Sequence, residues 1–489
     1  MSKIQSNAKV NYIYSVAYSI LTTLLPLVTA PYISRVIGAN GLGIYNYNYT
    51  IVMYCMLFAM LGVGYYGNRA IAKVRDNEEE RNTAFSEIYS LQLLTAGLVA
   101  TFYVIYVLFI VRENQLIAGI MMLYVLAPSI TVNWFFYGLE MFKITVTRNF
   151  VVKLLTVSLI FIFVKQPSDL WKYTLILAMG TFISEGYLIM YVHKYVRYQR
   201  PSFRNIIKHL MPNIVLFIPI FAVSIYRSMD KLMLKWIVDY EEVGFYSNSE
   251  KIINICVAFI SALGQVMLPK MTNLLANGNT EQFNILTRKS IKFSSFLSIA
   301  MFYGLLGVAK NFIPLFYGPG YEPCIPLLQL LSVNLMFLAW GSVLRSEFLI
   351  PKEQDSIFIK SVLLGVVVNL ILNILLIPQM KAIGATIGTI SAEVFSLIFI
   401  LLGIRKELDI KRVAKDALPY FIIGAIMLGS VFLVRRLNLP ALYLLLCEII
   451  TGVVVYLGLS FIYWHLTKDE METTIMIMLR RITRRKLKS

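Results

Sequence analysis

The chain has 489 residues, 58% of them hydrophobic and only 15% charged, whereas a soluble domain carries about a quarter charged residues. Its formal charge of +18 would suit nucleic acid, but the basic residues come in short clusters between apolar runs and form no basic domain, which excludes that partner. Apolar runs recur from residue 10 to residue 465, many about 20 residues long and able to cross about 30 Å of hydrocarbon as helices, so the composition is that of an all-α polytopic membrane protein.

In chain order the hydropathy predicts about fourteen spans, at 10–33, 44–66, 88–111, 115–138, 144–164, 170–192, 210–238, 243–268, 293–317, 324–347, 356–377, 381–404, 416–434 and 440–465. The first run has no small-residue cleavage pattern and reads as a retained span. GANGLG (38–43), which follows it, looks like a phosphate loop but reads as a turn after an apolar span. Cys55, Cys256, Cys324 and Cys447 are far apart and predict neither a disulfide framework nor zinc. His193, His209 and His465 all fall at span ends, so no metal site or Ser-His-Asp constellation is expected, and no cofactor.

The segment HKYVRYQRPSFRNIIKH (193–209) is the longest connection on its side, and it reads as a linker between halves. A shift of 201 residues lays LGIYNYNYTIVMYC (42–55) over VGFYSNSEKIINIC (243–256), matching Gly43/Gly244, Tyr45/Tyr246, Ile51/Ile252 and Cys55/Cys256. Six spans preserve orientation, so the expected fold is two six-helix lobes related by a parallel pseudo-twofold repeat, plus two C-terminal helices. The expected boundaries are 1–195 for the N-terminal lobe, 196–209 for the linker, 210–404 for the C-terminal lobe and 405–489 for the last two spans and a basic tail. Alternate connections hold 32 and 9 of the 45 lysines and arginines, with four inside spans. That bias predicts both termini in the cytoplasm, and it leaves the tail LRRITRRKLKS (479–489) facing anionic inner-leaflet lipid.

The stretch SIYRSMDKLMLKW (224–236) places charge inside the seventh span. Each charge near a bilayer centre costs about 2.5–3.5 kcal/mol on insertion scales, so these groups are expected to face the bundle interior or water. At 100° per residue Arg227, Asp230, Lys231 and Lys235 fall within an arc of about 140°. Asp230 can balance one cation, as structural pairing with Arg227 would have it, and Lys235 lies near enough to the end to snorkel. The surplus, with Lys153 in span five and Lys251 in span eight, predicts a cationic cavity for an anion such as phosphate, which arginine grips in bidentate fashion. Glu185, Glu250, Glu393 and Glu448 also lie within spans; each either neutralises a lysine or titrates if transport is coupled to protons.

APYISRVIGANGLGIYNYNYTIVMY (30–54), YYGNRAIAKVRDNEEERNTAFSEI (65–88), NWFFYGLEMFKITVTRNFVVKLL (133–155), MDKLMLKWIVDYEEVGFYSNSEKI (229–252) and GATIGTISAEVF (384–395) resemble the Wzx-type polysaccharide repeat-unit flippases. These belong to the multidrug/oligosaccharidyl-lipid/polysaccharide (MOP) exporter superfamily. The resemblance implies a fourteen-helix, two-lobed transporter of the bacterial cytoplasmic membrane that works by alternating access. Its cargo would be an oligosaccharide on undecaprenyl pyrophosphate, flipped to the outer leaflet for capsule, O-antigen or exopolysaccharide. The basic cavity lining of that family carries over to Arg227 and Lys231, then Lys153. Asp230 and Lys251 complete the candidate substrate site, and Arg35 reads equally as a ligand or an interface anchor. A polysaccharide polymerase partner and coupling to H+ or Na+ both fit such a transporter. A multidrug extruder of the MATE type, or a lipid II flippase of the MurJ kind, is the alternative within the superfamily. The outer connections are all about fifteen residues or shorter, which argues against an enzyme such as a polymerase or ligase.

Overall fold

A computed structural model describes residues 8–469 and Met471, apart from the side chains of residues 8–24, 142, 143, 226 and 262–266. The basic tail at 479–489 lies outside the described residues. The chain is all-helical among them: α1 (Ala8–Met60), α2 (Val63–Val74), α3 (Glu78–Ile105), α4 (Gln115–Ile120), α5 (Met122–Ile130), α6 (Asn133–Gly138), α7 (Phe142–Phe163), α8 (Leu170–Val192), α9 (Phe203–Ile207), α10 (Leu210–Ile237), α11 (Tyr240–Ala276), α12 (Thr280–Tyr317), α13 (Cys324–Val343), α14 (Asp355–Ile404), α15 (Ile410–Val434) and α16 (Ala441–Thr467). Short π-helical turns extend α3 at Tyr106–Ile110 and α13 at Leu344–Leu349.

Eleven helical stretches among the described residues are long and apolar enough to cross a membrane, and two of them, Leu25–Val74 and Asp355–Ile404, run for 50 residues. Fifty residues of helix span about 75 Å, more than twice the hydrocarbon core. Each is broken inside, α1 at Gly38 (φ 76°, ψ 172°) and α14 at Lys381 (φ 51°, ψ −129°). Each therefore supplies two spans; α11, more polar at its start, stands outside those eleven. The GANGLG segment is accordingly the break between the arms of α1, with Gly38 in the positive-φ region that glycine adopts without a Cβ penalty. Large apolar side chains stay exposed along α3, α14, α15 and α16, among them Phe102, Ile374, Ile422 and Val454. A bilayer covers such a surface, and the protein is a multi-pass membrane protein.

The chain divides into two compact units within α11, one ending at Ser247 and the other beginning at Asn248. In the first unit the break between α5 and α6 frees backbone carbonyls inside the bundle. Gln92, fully buried on α3, donates to the Pro128 and Thr131 carbonyls and accepts from the Trp134 indole at 2.9 Å, which satisfies groups that would otherwise cost several kcal/mol each in lipid. Trp134, Phe135 and Phe136 then pack against Val63, Ile71, Phe85 and Leu188. In the second unit Trp340 of α13 donates to Ser295 of α12 at 2.8 Å within a core that includes Leu397 and Ile400 of α14. All four cysteines are free; Cys324 is buried and the other three partly so.

Two local features recur near the 201-residue spacing. Asn77 caps α3, accepting from the Glu79 and Glu80 amides and donating to the Glu80 carboxylate; Asn279 caps α12, accepting from the Gln282 amide and donating to its side chain. These caps are 202 residues apart. A Cβ on Gly43 would collide with the Tyr240 carbonyl, and a Cβ on Gly244 with the Ala39 carbonyl. Ala39 and Tyr240, like Gly43 and Gly244, are 201 residues apart, so the contact between the second arm of α1 and the start of α11 is reciprocal.

Candidate substrate site

Helix α10 is apolar until its last three turns and lies along the second arm of α1. The Tyr54 hydroxyl donates to the Ser224 carbonyl at 3.2 Å, Ser228 meets the Met53 sulfur at 3.9 Å, and Phe217 and Phe221 pack on Phe58. This docking orients the charged turn. Leu232, Met233 and Leu234 are buried, and so is Asp230, at 1% exposure. Asp230 accepts the Tyr246 hydroxyl at 2.7 Å and also lies within electrostatic reach of Tyr54. Lys231 is half-buried and acts on the Tyr49 hydroxyl.

Arg227 is exposed and makes no ion pair among the described residues. It lies ten residues, about 15 Å, before α10 ends. The alternative of a structural Arg227–Asp230 pair does not hold: the carboxylate is buried on Tyr246 and the guanidinium is exposed. Lys235 pairs with Glu113 at 3.2 Å and stands 4.2 Å from the Tyr240 ring centroid.

Lys153 stands elsewhere in the same unit. It lines a cavity of about 380 Å³ between α1, α5, α7 and α8, with Asn149, Thr156, Tyr173, Thr181 and Ser184. Arg227 and Lys231 do not line it. Sequence reasoning missed the group at its edge. Arg148, counted with a connection, is buried on α7; it approaches Glu185 at 3.5 Å and donates to the Ser184 carbonyl, Asn133 and Asn149. Asn149 and Lys153 are four apart and share a helix face, the one signal that could have drawn attention there. Lys251 is in the second unit and donates to Asn248 at 3.3 Å. Arg35 is exposed near the end of the first arm of α1.

Of the four acids expected either to neutralise a lysine or to titrate, Glu185, Glu393 and Glu448 sit against arginines. Glu185 meets Arg148, Glu393 meets Arg345 at 3.6 Å, and Glu448, wholly buried, accepts from Arg435 at 3.0 Å and from Asn311 at 2.8 Å. The arrangement can do two chemical things: hold an anion at Arg227 and Lys231, and bind a polar group beside Lys153.

Helices long and apolar enough to cross a membrane, with arginine–glutamate pairs between them and exposed cations in the first unit, make up a polytopic membrane transporter fold. The same fold is found in the solved lipid II flippase MurJ in its inward closed conformation, with a TM-score of 0.75, 17% identity, and coverage of 94% of this chain and 99% of that one. Residues 9–275 match the family described as polysaccharide biosynthesis protein, and the chain belongs to that family. It is 22% identical to a putative O-antigen transporter of Escherichia coli K12 over 81% of this chain and 96% of the relative. It is 24% identical to the capsular polysaccharide biosynthesis protein CapF of Staphylococcus aureus over 79% and 97%.

Proposed function

We propose that this protein is a Wzx-type flippase of the MOP superfamily, moving undecaprenyl-pyrophosphate-linked oligosaccharide repeat units from the inner to the outer leaflet of a bacterial cytoplasmic membrane for surface polysaccharide. A transporter and not an enzyme is what the relatives' names support. One observation carries the site: in a family of polysaccharide biosynthesis proteins, Arg227 is an exposed guanidinium on α10, just past the apolar stretch Phe203–Ile225 and ten residues before the helix ends, without an ion pair among the described residues. An uncompensated cation near a bilayer centre costs about 2.5–3.5 kcal/mol, and a bidentate diphosphate offsets such a cost. Lys231 beside it adds a movable point charge, while buried Asp230 holds the turn to Tyr246.

Lys153, Lys251 and Arg35 are assigned supporting contacts along the route, with Lys153 strongest because it lines a cavity beside Asn149, Thr181 and Ser184. The lobes 1–195 and 210–404, alternating access between them, both termini in the cytoplasm, a polymerase partner and coupling to H+ or Na+ belong to the same reading. The basic-residue bias supports the orientation, and the paired caps and glycines support the duplication. The MurJ fold favours a second reading, a lipid II flippase, because it would use the same diphosphate chemistry.

The test is flipping of a lipid-linked oligosaccharide in proteoliposomes. Arg227→Ala and Lys231→Ala are each expected to slow flipping at least about tenfold, ~1.4 kcal/mol, with folded protein undiminished. Normal flipping by both variants would remove these residues from the site.

A further inference from the structure

A second cleft lies where α10 ends, in the same unit as Arg227. It has a volume of about 530 Å³ and is lined by Tyr47, Asn48, Tyr106, Arg112, Trp236 and Tyr240, among others. That size falls within the ~300–1,000 Å³ of small-molecule sites. The π-helical turn Tyr106–Ile110 forms one wall, a distortion common at functional positions.

The chemistry of the wall is specific. Trp236 is 62% exposed, yet its indole N–H is already donated to the Tyr47 hydroxyl at 3.1 Å. What it still offers is ring, an electron-rich face against which the C–H side of a sugar ring packs. Tyr47 and Tyr240 meet edge to face at 5.6 Å, so the platform is braced. Glu113 is held by Lys235 at 3.2 Å, and Arg112 is exposed with no ion pair among the described residues; these supply an acceptor and a fork of donors for hydroxyls. A ring that served only to anchor the bundle at the bilayer edge would have no need of a cleft lined by charges of both signs.

We propose that this cleft is a pyranose subsite, binding the sugar nearest the diphosphate of a lipid-linked oligosaccharide. It rests on the flippase reading. Lys235, which lines the cleft, is followed at four-residue steps down one side of α10 by Lys231 and Arg227, each about 6 Å of rise from the last, a spacing that a diphosphate and the sugar attached to it cover. Stacking on a ring face tolerates different pyranoses, because it uses the C–H side and not a particular hydroxyl.

The experiment measures binding of two probes to the full-length protein in nanodiscs: undecaprenyl pyrophosphate, and undecaprenyl pyrophosphate carrying one N-acetylglucosamine. The sugar-bearing lipid is expected to bind at least about fivefold tighter. Trp236→Ala should bring that ratio to about one, and Trp236→Phe, which keeps a ring, should restore most of it in protein that elutes as a single species. Equal binding of both lipids by the wild type, or an unchanged ratio in Trp236→Ala, would overturn the subsite while leaving the flippase reading intact. Failure of both lipids to bind would overturn both.

Discussion

The two units use the same residue types in opposite ways. In the second, Arg345, Arg435 and Arg288 each meet a carboxylate, Glu393, Glu448 and Asp416. Glu448 is inaccessible, so its pair staples α16 to α15 and, through Asn311, to α12. In the first, Arg148 and Glu185 make such a staple between α7 and α8, but Arg227 does not share it, and Lys153 faces a cavity. Charge within a span is therefore not by itself a mark of function. What separates a staple from a binding group is whether the carboxylate beside it is used up.

The largest expected effect comes from breaking a staple. Glu448→Ala takes the wholly buried acceptor from the partly buried Arg435 and from Asn311 and leaves Arg435 its bond to the Gly307 carbonyl, which costs at most the ~3–5 kcal/mol of a broken buried pair; thermal unfolding in detergent should show a large drop, and flipping should fall only as far as the amount of folded protein. If Glu448→Ala left stability unchanged and abolished flipping, the contrast between the units would be broken.

Gly43→Ala drives a methyl into the Tyr240 carbonyl and should cost about 1–3 kcal/mol as overpacking, with Gly244→Ala costing a similar amount at the reciprocal contact. Unequal costs would show that the two sides of that contact are not equivalent. Asn77→Ala and Asn279→Ala each remove a helix cap and should destabilise by about 1 kcal/mol, comparable in the two units by the same unfolding measurement.

The smallest effect is a matter of pH. Glu407, in the turn between α14 and α15, is hydrogen-bonded by Lys352 at 2.6 Å, and that bond holds its carboxyl below the usual carboxylate range. A group depressed on folding stabilises above its unfolded pKa and loses that contribution as pH falls through the folded one. The wild type should therefore exceed Glu407→Gln in unfolding temperature at pH 7, and the gap should close under acid. The pair is partly exposed, so it is worth less than about 1 kcal/mol.

The spans were legible because the bilayer imposes one long-range rule, length and apolarity, on every helix. The expected span at 243–268 falls on α11, which begins with Glu241 and Glu242 and is not among the eleven apolar stretches. The site was legible only in part. Helical spacing places Arg227, Asp230 and Lys231 on one arc of their own helix, but the buried edge of that arc is set by Tyr246, sixteen residues on and in the next helix. Counting basic residues by connection put Arg148, Arg345 and Arg435 at span ends, whereas long side chains reach inward to acids on other helices. The Trp236 cleft was invisible for the same reason: its walls come from four segments, none of which carries a motif.

At the crossing of Ala39–Gly43 with Tyr240–Gly244 the backbones touch, and the Tyr240 ring packs on Tyr47 and against the cluster that holds Ile44 and Tyr45. Such a joint resists approach and lengthwise slip, since either would press carbonyl oxygens into the opposite chain. The rod that carries Tyr47 is thereby keyed to the start of α11 by backbone and ring together.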